Sequence, residues 1–440
     1  MTTLRALPRW TDLPGSADFA RAFTVTVLAS IAGSHAIESL AGSAALVSII
    51  AAESVIAVGI LVARRRELSA LRLIPLTLVA FLLWTLASAF WSTDPVESFF
   101  RWLSLAALAL LAVTIGHIRD TLQTVRAVGD VARFLLIVSL AVEIASGILF
   151  DMPFTFLGVR GDIADLGPVQ GIFGTRNMLG FFCVVALVTF IVELRTRSVR
   201  TGVAVLSIVL ASVLALLSAS PTVFVLAAAV SALTGVLYLI RRIPDAHRTR
   251  AQWILAVVAV IGGSVAWGSR SSIINRLGAA DDLSLRTNLW RFVEFYVQRQ
   301  PVQGWGWFGP WDVREPPFAV INWLLRDSHT TALNAYVDVL LQLGWAGLVV
   351  FVAFFALTFA RSWVDASRRR AAVHAWVPLM VATLAVVSMF ESFTLFGIGW
   401  LLLVICAVRA GQSRSWREAL DRRTVPPGLP HTPGGSSLAG

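Results

Sequence analysis

The chain has 440 residues, 57% hydrophobic and 14% charged, with a mean hydropathy of +0.76. Soluble domains run at roughly 45–50% apolar and about 25% charged, so this balance excludes an ordinary water-soluble enzyme and places the chain in a membrane. The net charge of +10 rests on 36 arginines with no lysine, scattered in short clusters between apolar runs, which excludes the single basic face of a nucleic-acid binder.

In chain order, apolar runs long enough to cross the hydrocarbon, about 20 residues each, predict about twelve membrane helices. They lie at 20–38, 40–62, 73–91, 99–116, 133–150, 178–194, 202–218, 221–240, 252–268, 333–360, 372–390 and 393–409. The break at Ser218-Ala219-Ser220-Pro221 reads either as a boundary or as a kink. Cys183 and Cys406 sit inside apolar runs, so neither a disulfide framework nor a cysteine metal site is indicated.

Retained cytoplasmic loops carry the excess of positive charge. With the N-terminus inside, 26 of the 36 arginines fall on the inner side, including Arg64-Arg65-Arg66, Arg119, Arg126, Arg133, Arg241-Arg242 and Arg368-Arg369-Arg370. An even number of spans with both termini cytoplasmic is therefore expected. The Pro- and Gly-rich stretch 411–440 reads as a disordered cytoplasmic tail. The organisation is then nine membrane helices over 1–268, a large outer loop over 269–332, three helices over 333–410, and the tail.

The 64-residue stretch 269–332 is too long for a bare connection and too aromatic to be disordered. Leu285, Leu289, Phe292, Val293, Tyr296 and Val297 recur at three- and four-residue spacing, predicting an amphipathic helix. The following Pro301-Val302-Gln303-Gly304-Trp305-Gly306-Trp307 predicts a sharp turn. Seven of the ten outer arginines lie in this loop, Arg270, Arg276, Arg286, Arg291, Arg299, Arg314 and Arg326. One reading is an anion site for a lipid-linked phosphate, since the guanidinium fork suits phosphate oxygens. The other is headgroup contact by the arginines beside an interfacial belt of tryptophans.

Three stretches resemble the O-antigen ligase and exopolysaccharide polymerase family of multi-spanning membrane glycosyltransferases. Gly171-Ile172-Phe173-Gly174-Thr175-Arg176-Asn177-Met178-Leu179-Gly180 is similar to the family's basic-Asn-x-x-Gly helix entry. Ser284-Leu285-Arg286-Thr287-Asn288-Leu289-Trp290 with Pro301-Val302-Gln303-Gly304-Trp305-Gly306 resembles its Gly-Arg, Trp and Pro-x-x-Gly-x-Gly pattern. Asp327-Ser328-His329 through Leu333-Asn334 to Gly347 resembles its His-Asn stretch and the helix that leaves the loop. Three positions depart: Leu285 stands for the glycine before the arginine, Pro221 for a basic residue after a serine, and Leu333 for the histidine, with His329 four residues earlier.

The resemblance implies an all-α membrane protein, similar to the GT-C glycosyltransferases, in the bacterial cytoplasmic membrane. It implies transfer of a glycan from a polyprenyl diphosphate onto a hydroxyl of a glycan or lipid acceptor at the outer face, with membrane lipids around it, no metal, no nucleotide sugar and no other cofactor. Arg176 and Arg286 match family basic positions and are expected to hold the diphosphate. His329 is expected to take the acceptor proton or to bond the diphosphate, brought by one helical turn to the face of Leu333, with Asp327 and Glu294 as alternative bases. The competing class is a polytopic transporter or a flippase for lipid-linked glycans, favoured by Glu53 and Glu143 inside apolar spans, where an ionisable group costs about 2.5 kcal/mol or more. Reporter fusions at the tail and near residue 315 are expected to report opposite sides of the membrane; the same side for both refutes this topology.

Overall fold

The computed structural model describes residues 16–65, 74–268 and 280–412. The predicted tail beyond 412 and the arginines Arg5, Arg9, Arg66, Arg72, Arg270, Arg276, Arg414, Arg417, Arg422 and Arg423 lie outside the described residues. Fifteen α-helices occur in the described residues. They are α1 Ala17–Ala32, α2 Ser34–Ala41, α3 Ser43–Ala63, α4 Leu76–Ala87, α5 Pro95–Ile118, α6 Thr121–Ile144, α7 Arg176–Thr196, α8 Thr201–Leu217, α9 Pro221–Arg242, α10 Asp245–Gly268, α11 Ala280–Val297, α12 Phe318–Leu325, α13 Ala335–Arg368, α14 Val373–Val387 and α15 Gly397–Gly411. No β-strand forms among the described residues; a lone bridge pairs Phe154 with Val159.

Each predicted apolar run is helical. Among the described residues, six helices are long and apolar enough to cross a membrane, or seven with the pair α1 and α2, which bends by 70°. That bend corrects the expectation of one continuous span over 20–38. The apolar helices at 76–90, 201–217, 373–387 and 397–411 are shorter. At the serine-proline break α8 ends at Leu217, and Pro221 takes the first position of α9, where its missing N–H costs no bond. The apolar exterior matches lipid as solvent: Val55, Leu76, Leu206 and Trp253 are all exposed. α7 is the most enclosed of the six long spans, with 72% of its apolar window buried, and it packs against α6, α8, α9 and α14.

Helix ends segregate into two sets of contacts. In one, Arg21 at the start of α1 pairs with Asp130 of α6 at 3.3 Å, and Arg133 grips Glu193 at the end of α7 at 2.6 Å. Arg409 of α15 donates to Thr121 Oγ1 at 3.1 Å, and Arg241 of α9 to the Ala366 carbonyl at 2.9 Å. This corrects the predicted start of α6 at residue 133. The helix begins twelve residues earlier with a reciprocal cap between Asp120 and Gln123, because Asp130 and Arg133 are neutralised by each other and by their partners. The other set joins the end of α4, the starts of α7 and α9, α11, and the connection between α14 and α15.

At that second end α13 is broken. Gly344 has φ 65° and ψ −169° inside the helix, which leaves preceding carbonyls without intrahelical donors. The turn after α11 supplies them: Trp305 N donates to Leu341 O at 3.1 Å and Gly306 N to Gln342 O at 2.8 Å. Trp84 Nε1 donates to Leu343 O at 3.0 Å. In return Trp345 N donates to Pro301 O at 2.8 Å and Ala346 N to Val302 O at 3.2 Å. A Cβ on Gly304 would meet the Gln342 carbonyl, and one on Gly344 the Val302 carbonyl.

The first two turns of α13 then organise the rest of the loop. Asp338 accepts from Trp311 Nε1 at 2.6 Å, from Ala332 N at 3.0 Å and from Ser392 Oγ. Gln342, one turn on, accepts from Phe308 N at 2.8 Å and Gly309 N at 3.0 Å, and donates back to Gly309 O at 3.0 Å. Leu289, Val293, Phe308, Trp311, Phe318 and Leu341 form a separate apolar core beneath the loop. Trp311 belongs to this core and Trp307 to the main bundle core against Phe81, which overturns the interfacial-belt reading for both, whereas Trp323 is 76% exposed.

Gly344→Ala is expected to lower stability by about 2 kcal/mol or more, through the left-handed backbone and the contact with Val302. Gly235→Ala, in α9 with open space around it, is expected to be neutral. Melting temperatures in detergent check the pair, and equal temperatures would refute the claim.

Candidate functional site

The first motif stretch is set by α6. Glu143 is buried and its Oε1 accepts from Gln170 N at 2.9 Å and Gly171 N at 2.7 Å, so this intramembrane carboxyl anchors the approach to α7. Thr175 caps α7, its hydroxyl accepting from Met178 N at 3.2 Å, which places Arg176 and Asn177 in the first turn. Gly180 lets α9 come close, since a Cβ there would meet Val223. The same approach brings Ser220 Oγ to Asn177 Oδ1 at 2.7 Å.

Asn177 points to Glu391, donating from Nδ2 to Oε1 at 2.7 Å. Arg286 of α11 reaches that same oxygen from Nη2 at 3.3 Å. Its Nη1 donates to Leu333 O at 2.8 Å and to Phe390 O. Arg286 and Glu391 are 5% and 6% exposed, so headgroup contact is overturned for Arg286. Trp290 Nε1 fixes the neighbouring Ala332 carbonyl at 2.8 Å, and Asn334 Nδ2 donates to Met389 O at 3.0 Å. All three motif stretches thus meet at Glu391 and the connection that carries it.

Of the two arginines expected to share a site, Arg286 is inside this network. Arg176 is exposed and lines a cavity of about 490 Å³ with Arg160, Gln170 and Asn177. The residue that joins the first stretch to Arg286 is Asn177. His329 is half-buried, with Nε2 3.2 Å from Asp327 Oδ2. Its backbone is clamped at both groups by Asn322, N to Oδ1 and Nδ2 to O, each at 2.8 Å. The expectation that one helical turn aligns it with Leu333 is corrected: residues 326–334 are not helical, and α13 starts only at Ala335, capped by Asn334. Asp327 is exposed and lines an open groove of about 890 Å³ with Asn322, Trp323, Arg326 and Ser328. Glu294 is exposed on α11.

Sequence reasoning missed Glu391, Asn177, Arg160 and Asp338. Glu391 had a signal, being the lone acid between two apolar runs, where an ionisable group needs a partner. Asp338 had none beyond its place in an apolar run. Glu53, the other acid that favoured the transporter class, accepts a hydrogen bond from Ser30 Oγ at 2.8 Å on Oε1, and its Oε2 is buried without a partner among the described residues. No group of three or more His, Cys, Asp or Glu is placed to hold a metal among the described residues.

Chemically, the network offers a fixed guanidinium, an amide and a carboxylate at one point, with two further arginines on the adjoining cavity. No curated protein matches the chain. Residues 206–352 match the family described as O-antigen ligase, and over that stretch, which includes Ser220, Arg286, His329 and Gly344, the likeness of this chain to that family is established.

Proposed function

We propose that the protein is a membrane glycosyltransferase that moves a glycan from a polyprenyl diphosphate onto an acceptor hydroxyl at the outer face of the bacterial cytoplasmic membrane, acting as a polymerase or ligase of surface polysaccharide. The observation that carries this reading is the convergence of the three motif stretches on the buried Arg286–Glu391–Asn177 network. A pocket assembled from helices this far apart in sequence, and rich in arginine, suits a multiply charged leaving group better than headgroup contact does. The commitment of Glu143 Oε1 to two backbone amides argues against its use in a proton relay and so against the transporter class. The Arg-lined set of helix ends then faces the cytoplasm with both termini, in a bundle of about twelve spans, and the loop 269–332 lies outside.

In this mechanism the acceptor oxygen attacks the anomeric carbon while the bond from that carbon to the diphosphate oxygen breaks. The electron pair leaves with the diphosphate. Arg286 and Arg176, joined by Arg160, stabilise that charge, which is where fixed donors act most strongly. The acceptor proton passes to His329, whose ring is held against Asp327 and whose backbone is fixed by Asn322. Asp327 stands behind the histidine, and Glu294 is the remaining alternative base. The groove beside Asp327 offers the acceptor a place within reach of that proton acceptor.

His329→Ala is expected to lower transfer by about 10²–10⁴-fold with normal membrane insertion, as loss of a positioned base does. Arg286→Lys is expected to be at least as damaging, because a point charge replaces a fork that meets two carbonyls and a carboxylate. The measurement is surface glycan length and accumulated lipid-linked intermediate in cells carrying each variant. Single units in place of long chains indicate a polymerase, and full-length lipid-linked chains a ligase. A normal glycan profile in both variants would refute the site.

A further inference from the structure

We infer that Glu391 is an internal counter-anion, and that the diphosphate of the substrate binds by taking its place on Arg286 and Asn177. The inference rests on the reading of the protein as a diphosphate-dependent transferase. A guanidinium as buried as Arg286 needs an anion beside it, because an uncompensated buried charge costs several kcal/mol. Glu391 is that anion, and its Oε1 accepts from both Arg286 Nη2 and Asn177 Nδ2. A carboxylate oxygen and a phosphate oxygen present the same acceptor to such a pair of donors.

Two features suit exchange better than a permanent ion pair. Arg286 is held independently of Glu391, since its Nη1 donates to Leu333 O and Phe390 O. The guanidinium therefore keeps its place when the carboxylate leaves. Asn177 also borders the cavity that carries Arg160 and Arg176, so one side chain touches both the arginine-lined entrance and the buried arginine. An anion drawn in by the exposed pair meets Asn177 first and Glu391 next. Repulsion between its charge and Glu391 then favours displacement of the carboxylate.

A structural ion pair and an exchange partner differ in the sign of one measurement. Where binding requires displacement, apparent affinity is the intrinsic affinity reduced by the fraction of molecules whose donors are released. Neutralising Glu391 raises that fraction. In the full-length protein purified in detergent, titrated with inorganic pyrophosphate by calorimetry, Glu391→Gln is expected to bind about tenfold tighter than the parent protein. Gln keeps the side-chain length and an acceptor oxygen, so Arg286 and Asn177 keep a partner. Glu391→Asp, which retains the charge on a shorter stem, is expected to tighten binding by about threefold, and it carries the test if the Gln variant fails to fold. Arg286→Gln is expected to weaken binding by about tenfold or more. Unchanged or weaker binding in both Glu391 variants, with loss in Arg286→Gln, overturns the exchange and leaves the transferase reading standing. No pyrophosphate binding by the parent protein or any variant overturns both.

Discussion

The site depends on an exchange of backbone hydrogen bonds across a broken helix. When α13 breaks at Gly344, carbonyls of Leu341, Gln342 and Leu343 lose intrahelical donors, in a protein whose surroundings cannot supply water cheaply. The amides of Trp305 and Gly306 and the indole of Trp84 take their place, and Trp345 and Ala346 repay the turn at Pro301 and Val302. The long loop is therefore part of the helix's own hydrogen-bond satisfaction. Both glycines are required sterically, Gly304 facing the Gln342 carbonyl and Gly344 facing Val302. A Pro-x-x-Gly-x-Gly sequence and a glycine some forty residues later thus describe one joint.

From that joint the geometry passes outward along α13. Asp338 and Gln342 share a face one turn apart, and between them they hold Trp311, Ala332, Ser392, Phe308 and Gly309. Ser392 adjoins Glu391, and Ala332 adjoins Leu333, both of which Arg286 contacts. Loosening the Asp338 network would move the counter-charge and the carbonyl together. The helix also has to tolerate a buried carboxylate, and it does so because three donors, one of them an indole N–H, converge on that carboxylate.

The parts of this molecule legible in its sequence are those governed by local composition. Each apolar run became a helix, and the apolar spacing over 285–297 marked α11, because hydrophobic period is a property of neighbouring residues. Family likeness picked out Arg286 without saying that it would be buried. What hydropathy could not show was set by pairing across long separations. Arg133 looked like a boundary charge until Glu193, sixty residues away, was seen to neutralise it. Trp311 looked interfacial because nothing local announces the core that α11 and α12 build beneath the loop, and Trp307 because nothing local announces that it enters the bundle core against Phe81. Asn177 and Glu391 are 214 residues apart, and no local pattern pairs them. Arg176 was selected by its charge, yet Asn177 carries the link, since the first turn of α7 turns one side chain outward and its neighbour inward.

Leu333, at the position where the family likeness expects a histidine, shows how such a site accommodates the change. Its backbone is left-handed, φ 52°, a conformation that costs an ordinary residue about 1–2 kcal/mol. What offsets the cost is its carbonyl, which that conformation aims at Arg286 Nη1 at 2.8 Å; a hydrogen bond to a charged group is worth about 1.5–3 kcal/mol. The side chain of Leu333 meanwhile packs against the apolar core under the loop. The position thus serves Arg286 through its backbone and the apolar core through its side chain. In the proposed mechanism the proton acceptor has to come from a neighbouring segment that is equally well fixed. His329 meets that requirement without a helix, because Asn322 clamps its amide and carbonyl together and Asp327 orients its ring.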